Sequence, residues 1–335
     1  MSKVKFGDIA REHKETLKND KSNMAIVGLE HLIPGYIKLI NCDYNKENTF
    51  TKVFRKGNVL FGRRRAYLKK AAYAEFDGIC SGDITVIEAI PGRISPLLLP
   101  FVVQNDRFFD YAVGKSAGSL SPRVKWEDLK EYEFELPDTI EEQEKIAELL
   151  WSMVDTNDKY KELIIKTDEL VKSQFIELFK ECNYQKTLTE ICSPKQWKTI
   201  STKDFTEEGY PVYGANGLIG KYKEYNHVNP TVMIGCRGTC GVIHVSEGEC
   251  YINGNAMCLD DPIPEIDYKY LAAALRCYDF SKIITGTSQP QITIESLKRV
   301  LIKIPSMIDQ KKFIFLSEQS DKSKFHCSSY IKFAC

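Results

Sequence analysis

The chain has 335 residues, and its 46 Lys and Arg are matched by 46 Asp and Glu, so two ordinary domains fit and no net charge advertises a partner. An apolar share of 43% and a charged share of 27% exclude collagen-like, disordered and disulfide-scaffold classes. The longest apolar run, Ile94 to Val103, is about half of what a bilayer-spanning helix requires, and the opening stretch MSKVKFGDIAREHKE has no apolar core before a small-residue cleavage site. A cytoplasmic protein is expected.

In chain order, the first Gly-punctuated stretch, residues 1–136, carries short β-type runs, among them Val59-LFGRRRAYLKK and Cys80-SGD. Tyr132, Phe134 and Leu136 alternate as a strand that runs straight into a helix. From Pro137 to about Glu181 no Gly and no further Pro occurs, and helix formers dominate. Asp138 or Thr139 caps this helix, and Glu141, Glu142 and Glu144 suit the positive end of its dipole. At about 1.5 Å per residue the helix reaches roughly 60 Å, more than one compact domain buries, so it needs a partner along its length. Steps of four and three trace the seam Ile146, Leu150, Met153, Asn157, Tyr160, Ile164, Thr167, Val171, Gln174 and Leu178, a coiled-coil stripe whose polar members fix register.

A second Gly-punctuated stretch, residues 184–304, repeats the first. Gly118-SLSPRVKWEDLKEYEFELP aligns without gaps to Gly286-TSQPQITIESLKRVLIKIP at an offset of 168, matching Pro122 with Pro290 and Pro137 with Pro305. Val300, Ile302 and Ile304 repeat the alternating strand, and Gln310 matches Gln143 after a one-residue deletion, so a second long helix is expected over 305–335. Two earlier tracts correspond more weakly, through Gly62 with Gly235 and Gly82 with Gly254. The pattern is domain, helix, domain, helix: an α+β tandem duplication with mixed sheets and short helices in each domain.

Catalytic signatures are missing. Gly114-Lys115-Ser116 and Gly220-Lys221-Tyr222 fail the phosphate-loop pattern, and Asn229-Pro230 continues into Thr-Val rather than an amino-methyltransferase loop. Glu12-His13-Lys14 lacks the strand-like approach that a Mg²⁺-dependent nuclease would want. None of the eleven cysteines forms a C-x-x-C pair. Cys236, Cys240, Cys250 and Cys258 with His244 is the one cluster that invites zinc, but only the first two have knuckle spacing, and thiols packed in a small sheet are the better reading. What remains is basic, amide and aromatic residues in glycine-rich turns, the side chains that contact phosphates and base edges. They are Arg63, Arg64, Arg65, Tyr67, Lys69 and Lys70 in the first copy, and Tyr213, Asn216, Lys221, Tyr222, Lys223 and Arg237 in the second. Any one of them could equally be a solvated surface residue; the repetition lifts the group above that.

The layout resembles the DNA-specificity subunit of type I restriction-modification systems. LPDTIEEQEKIAEL carries the resemblance most specifically, with YPVYGANGLIGKY and MIGCRGTCGVI in the second domain and GLEHLIPG and VLFGRRRAYLKKAAYAEFDGICSGD in the first. The resemblance implies two target-recognition domains, residues 1–136 and 184–304, each reading half of a split DNA sequence. It implies helices over 137–183 and 305–335 that pair as an antiparallel coiled coil, set the spacing and dock modification subunits through Ile146, Leu150, Met153, Tyr160, Ile164, Val171 and Leu178. S-adenosylmethionine, ATP and Mg are expected on the modification and restriction subunits, with no cofactor or metal on this chain and no catalysis of its own. The DNA-facing candidates carried over by region are Arg63, Arg64, Arg65, Tyr67, Ser119 and Arg123, then Asn216, Lys221, Arg237, Thr239, Asn253, Asn255, Ser288, Gln289 and Gln291.

The chain departs from the family after Pro305, where thirty residues follow against more than forty past Pro137. This shortening leaves Ile164, Val171 and Leu178 exposed in expectation, with a second copy of the chain as one way to cover them. Three alternatives stay open: a specificity subunit of a related fused restriction-methylation system, a fused methyltransferase or nuclease that turns over alone, and a coiled-coil scaffold that binds only proteins. By segment the zero net charge resolves into 22 basic and 18 acidic groups in residues 1–136, 6 and 12 in 137–183, 13 and 13 in 184–304, and 5 and 3 in 305–335. An acidic helix thus separates two domains whose basic groups are free to gather on one side.

Overall fold

The structure is a computed structural model that describes residues 1–17, 23–286 and 289–333, with side chains described through residue 328. The chain forms two compact units, Met1–Thr156 and Asn157–Cys335. The division falls inside the long helix rather than at its ends. Among the described residues no helix is long and apolar enough to cross a membrane.

In the first unit β1 (Ser2–Lys5), the one-turn α1 (Phe6–Ile9) and β2 (Ala10–Glu12) are followed by β3 (Ala25–Val27), β4 (Lys52–Phe54), β5 (Val59–Gly62), β6 (Ala71–Tyr73), β7 (Gly78–Cys80) and β8 (Ile84–Ala89). Then come α2 (Leu99–Gln104), α3 (Asp106–Gly114), α4 (Trp126–Leu129), β9 (Glu133–Leu136) and the start of α5 (Ile140–Leu178). The larger sheet has the order β2-β8-β5-β6 and is antiparallel throughout; the smaller, β3-β7-β4, mixes a parallel and an antiparallel pair. β5 and the Ile84–Ile87 stretch of β8, rich in β-branched residues, are buried on both faces, which is why they do not alternate between apolar and polar residues. Phe6, Phe61, Phe108 and Phe109 fill the space between this sheet and α3, with Phe61 stacked on Phe109 at 5.5 Å between centroids. Burying each such ring contributes about 2 kcal/mol or more.

In the second unit the elements are β10 (Gln185–Thr187), α6 (Leu188–Ile191), β11 (Ser193–Gln196), β12 (Tyr210–Gly214), β13 (Gly217–Tyr222), β14 (Val232–Gly235), β15 (Ile243–Val245), β16 (Tyr251–Ile252) and β17 (Ala256–Asp260). They continue with α7 (Tyr268–Arg276), α8 (Ile294–Leu297), β18 (Leu301–Lys303) and α9 (Met307–Phe333). Its larger sheet, β11-β17-β14-β15, repeats the order and antiparallel sense of β2-β8-β5-β6. The register repeats as well: Gly62 faces Ile84 across β5 and β8, and Gly235 faces Ala256 across β14 and β17. In both units the first strand pairs antiparallel with the last, β1 with β9 and β10 with β18, so the chain enters and leaves each unit side by side. The copies part company in the smaller sheet, where β12 is central and pairs with β13 and β16.

The helix that follows each closing strand is fastened by the same residue type. Thr139 Oγ1 accepts from Glu142 N–H as the cap of α5, and Ser306 Oγ accepts from Asp309 N–H as the cap of α9. One turn on, buried Gln143 donates to Pro137 O at 2.9 Å and accepts from Ser95 N–H at 2.8 Å. Buried Gln310 donates to Pro305 O at 3.0 Å and Glu265 O at 2.7 Å and accepts from Asp267 N–H at 2.9 Å. Each Gln amide thereby fixes the start of a helix to its own unit.

Within the second unit α9 lies antiparallel to the later part of α5. Phe313 packs on Phe179 at 5.7 Å between centroids, while Lys324 Nζ reaches Asp168 Oδ1 at 2.7 Å, eleven residues further along α9 and eleven back along α5. The seam positions are distributed unevenly. Ile146 and Met153 are exposed; Leu150, Tyr160 and Ile164 are half-buried. Val171 packs against the core that contains Phe313, so the expected exposure of Ile164 and Val171 is corrected: α9, though shorter than α5, runs past this level. Leu178 is 51% exposed and its neighbour Phe179 only 2%. The four-three stepping fails there because Val171, Phe175 and Phe179 pack at i, i+4, i+8 into a globular core with Tyr270 and Phe313.

Candidate nucleic-acid interface

At the end of β5 the chain turns through Arg63, Arg64 and Arg65 and docks on the loop between α3 and α4. Val124 N–H donates to Arg63 O at 3.0 Å, Arg65 N–H donates to Pro122 O at 2.8 Å, and Arg64 forms an antiparallel bridge with Arg123. Arg123 in turn bridges Ala117, which closes the 117–123 loop. Arg65 holds φ of +54°, a left-handed conformation, immediately before a one-turn helix. That turn exposes Tyr67 at 54%, and the facing loop presents Ser119 and Leu120, the latter 90% exposed.

The edge is cross-linked by one carboxylate. Asp83, in the turn between β7 and β8, accepts from Arg123 Nε at 2.7 Å through one oxygen and from Arg64 Nη1 at 3.2 Å through the other. Arg64 Nε also donates to Ser121 Oγ at 2.6 Å, and Asp83 O accepts from Arg63 N–H at 3.0 Å. Partial burial pushes the Asp83 carboxyl up, but the hydrogen bonds from Arg123 and Arg64 outweigh it and hold the group below the usual carboxylate range. Lys69 is paired with Asp106, and Lys70 Nζ donates to Leu29 O, so both are committed within the unit.

The second unit builds the same edge from other side chains. Ile292 N–H donates to Cys236 O at 3.0 Å, Arg237 bridges Gln291, and Gln291 bridges Thr285, each the counterpart of a contact above. Asn255 stands where Asp83 stands: its carbonyl accepts from Cys236 N–H at 3.0 Å and from Arg237 N–H at 3.3 Å. The turn Ala215–Asn216 closes on this edge across Gly235, where an added Cβ would lie 2.6 Å from Ala215 O and 2.3 Å from Thr239 O. Asn216, Arg237, Thr239, Asn255, Gln289 and Gln291 are all exposed along it. No side-chain ion pair holds Arg237 among the described residues.

The other nominated residues fall elsewhere. Lys221 is exposed on β13, opposite Pro211, away from the hairpin turn. Asn253 is 2% exposed, its amide oxygen accepting from Ile200 N–H and Gly254 N–H and its amide nitrogen donating to Ile200 O. Its nomination as a DNA contact is therefore corrected: every polar atom of its side chain is already used in tying a loop to the sheet. Ser288 lies outside the described residues. Sequence reasoning missed Asp83, Ser121 and Leu120; the alignment of Ser81-Gly82-Asp83 with Asn253-Gly254-Asn255 was the available signal for the first.

The cysteines do not assemble as a knuckle pair. Cys236, Cys250 and Cys258 are buried, Cys240 is half-buried, and burial pushes all four thiols up. Cys240 Sγ donates to Pro290 O. Among the described residues the donor atoms that do converge, within 4.8 Å, belong to His227, Cys258 and Asp260. His227 Nδ1 donates to Asn226 Oδ1, an oxygen fixed as acceptor by Ile252 N–H, and Nε2 lies 3.1 Å from Asp260 Oδ1.

Residues 5–167 and 182–324 match the family described as type I restriction modification DNA specificity domain, once for each unit. The chain belongs to this family. Among curated proteins it is similar to the EcoprrI specificity subunit of a type I restriction enzyme from Escherichia coli, 26% identical over 144 residues, or 41% of this chain and 35% of that one. It is also similar to the EcoDI specificity subunit from Escherichia coli, 29% identical over 108 residues, covering 32% of this chain and 24% of the relative. These matches thus span about a third or less of the relatives' length. Among solved structures, the type I system S subunit from M. genitalium aligns with a TM-score of 0.61 at 18% identity, covering 99% of this chain and 93% of that one. A chain from a study of complex assembly and conformational transition in the type I R-M system aligns at 0.59 and 19% identity, with the same coverage. At such identities the two structures speak to fold. For this type I specificity-family chain they agree with two tandem sheet units and long helices, and the repeated edge is the place where the units share a backbone and differ in side chains.

Proposed function

We propose that this chain is the DNA-reading subunit of a type I restriction-modification assembly, without catalysis of its own, each unit reading one half of a split, asymmetric duplex sequence. The observation that carries this reading is the repeated edge: one backbone scaffold presents Arg64, Asp83 and Arg123 in one unit and Arg237, Asn255 and Gln291 in the other. Guanidinium and amide groups make bidentate contacts to guanine and adenine edges, so a constant scaffold with exchanged side chains is what two different half-sites require. The proposed partners are double-stranded DNA, methylation subunits that carry S-adenosylmethionine and act on adenine, and restriction subunits that use ATP and Mg, all in the cytoplasm. Exposed Leu149, Leu163 and Leu170 on α5 share heptad spacing and support docking of such subunits along the helix. The helices would set the spacing between the half-sites.

Selection from a randomised duplex library, using the full chain with its methylation subunits at two salt concentrations, tests the proposal. Enrichment of two short motifs at fixed separation, weakened by salt, is expected. A single contiguous motif, or retention without sequence preference, overturns it; no retention at all favours the protein-only scaffold.

A further inference from the structure

We propose that Asp83 is a positioning residue for base reading in the first unit, holding Arg64 and Arg123 in one fixed pose, and that the second unit reads its half-site with an unclamped arginine. The inference rests on the proposed function above and names how that site is divided.

Three observations carry it. First, a carboxylate on a DNA-facing edge repels phosphate, so its presence there calls for a compensating role, and both of its oxygens are occupied by guanidinium nitrogens. Second, Arg64 is fixed at two points, by Asp83 and by Ser121 Oγ, which leaves its far amino group and the remaining nitrogens of Arg123 to meet a base edge or a phosphate. Third, the equivalent place in the second unit holds Asn255, whose neutral side chain makes no such link among the described residues, while Gln291 replaces Arg123. The same scaffold therefore carries a pre-ordered arginine pair in one unit and, among the described residues, an arginine without a side-chain ion pair beside two amides in the other. Holding a long side chain in its bound pose removes an ordering cost that would otherwise be met on reading a base, and for two such side chains a loss of roughly ten-fold in discrimination is expected when the hold is released.

The substitution Asp83→Asn separates the clamp from simple charge. It removes one negative charge, so non-specific DNA retention should hold or rise, while discrimination at the positions of one half-site falls about ten-fold and the other half-site is unchanged. The full chain with its methylation subunits is read on the randomised library and on defined duplexes, with Arg237→Ala measured in parallel and thermal melting confirming that each variant is folded. Because a clamp acts through its partners, Asp83→Asn added to the Arg64→Ala and Arg123→Ala double variant should produce no further loss of discrimination. Additive loss in that background, unchanged selectivity in a folded Asp83→Asn chain, or equal loss at both half-sites overturns the inference. If Asp83→Asn does not fold, Asp83→Glu supplies the reading: it keeps the charge but displaces the oxygens, and retention of full discrimination would likewise overturn it. Should Arg237→Ala alter one half-site while Asp83→Asn alters neither, the clamp fails and the two-reader function stands; should the wild-type chain select no DNA, the function itself fails.

Discussion

At Asp83 one carboxylate accepts from two guanidiniums while its own backbone carbonyl holds the arginine turn, so side chain and main chain secure the same edge. The folded-state pKa of this group is depressed relative to the unfolded chain, so its contribution to stability is present above the unfolded value of about 4 and is lost as pH falls through the lower folded value. Thermal melting of the wild-type and Asp83→Asn chains should therefore differ near neutral pH and converge under acid; a difference that persists unchanged to pH 3 would show that the ion pairs are not its source. Asn253 and Asn255 illustrate how little residue type says about role. Two positions apart, one amide is buried with both of its polar atoms bonded to backbone partners and the other is exposed beside Arg237.

Gln143 and Gln310 show what an element needs to start in a defined direction. A helix leaves its first backbone N–H groups unpaired, and the strand before it leaves a proline carbonyl free; the Gln amide meets that carbonyl and a loop N–H at once. Replacing Gln310 with Ala strands Pro305 O, Glu265 O and Asp267 N–H and should destabilise the second unit by about 2–3 kcal/mol, as read by urea unfolding. A change below about 0.5 kcal/mol would mean that water replaces the amide at no loss. The strand-to-helix junctions were legible in sequence because they are local: alternating apolar residues, a proline and, five or six residues on, a glutamine. Which residues continue the seam near Phe179 was not, because there the helix joins a globular core whose aromatic members, Tyr270 and Phe313, come from α7 and α9.

On the scale of the whole chain, duplication explains why two units of the same sheet order close on the same pair of first and last strands. Each unit has its own core, and its candidate edge is built from its own turns, so the units are expected to be exchangeable. Substituting the first unit with that of a relative of different specificity should change one half of the selected duplex and leave the other intact. Selection experiments that find both halves altered, or neither, would falsify independent reading.

The sequence by itself determined the tandem order, the two long helices, the strand that precedes each and the glycine turns, since all of these follow from local spacing and self-similarity. Only the tertiary structure decided which polar residues reach the surface and which are consumed inside. Asn253 turns inward, Asn255 outward, and Asp83 meets Arg64 and Arg123 from 19 and 40 residues away. Contacts of that separation depend on how strands pair, and pairing depends on the burial of the sheet as a whole rather than on any short run of residues.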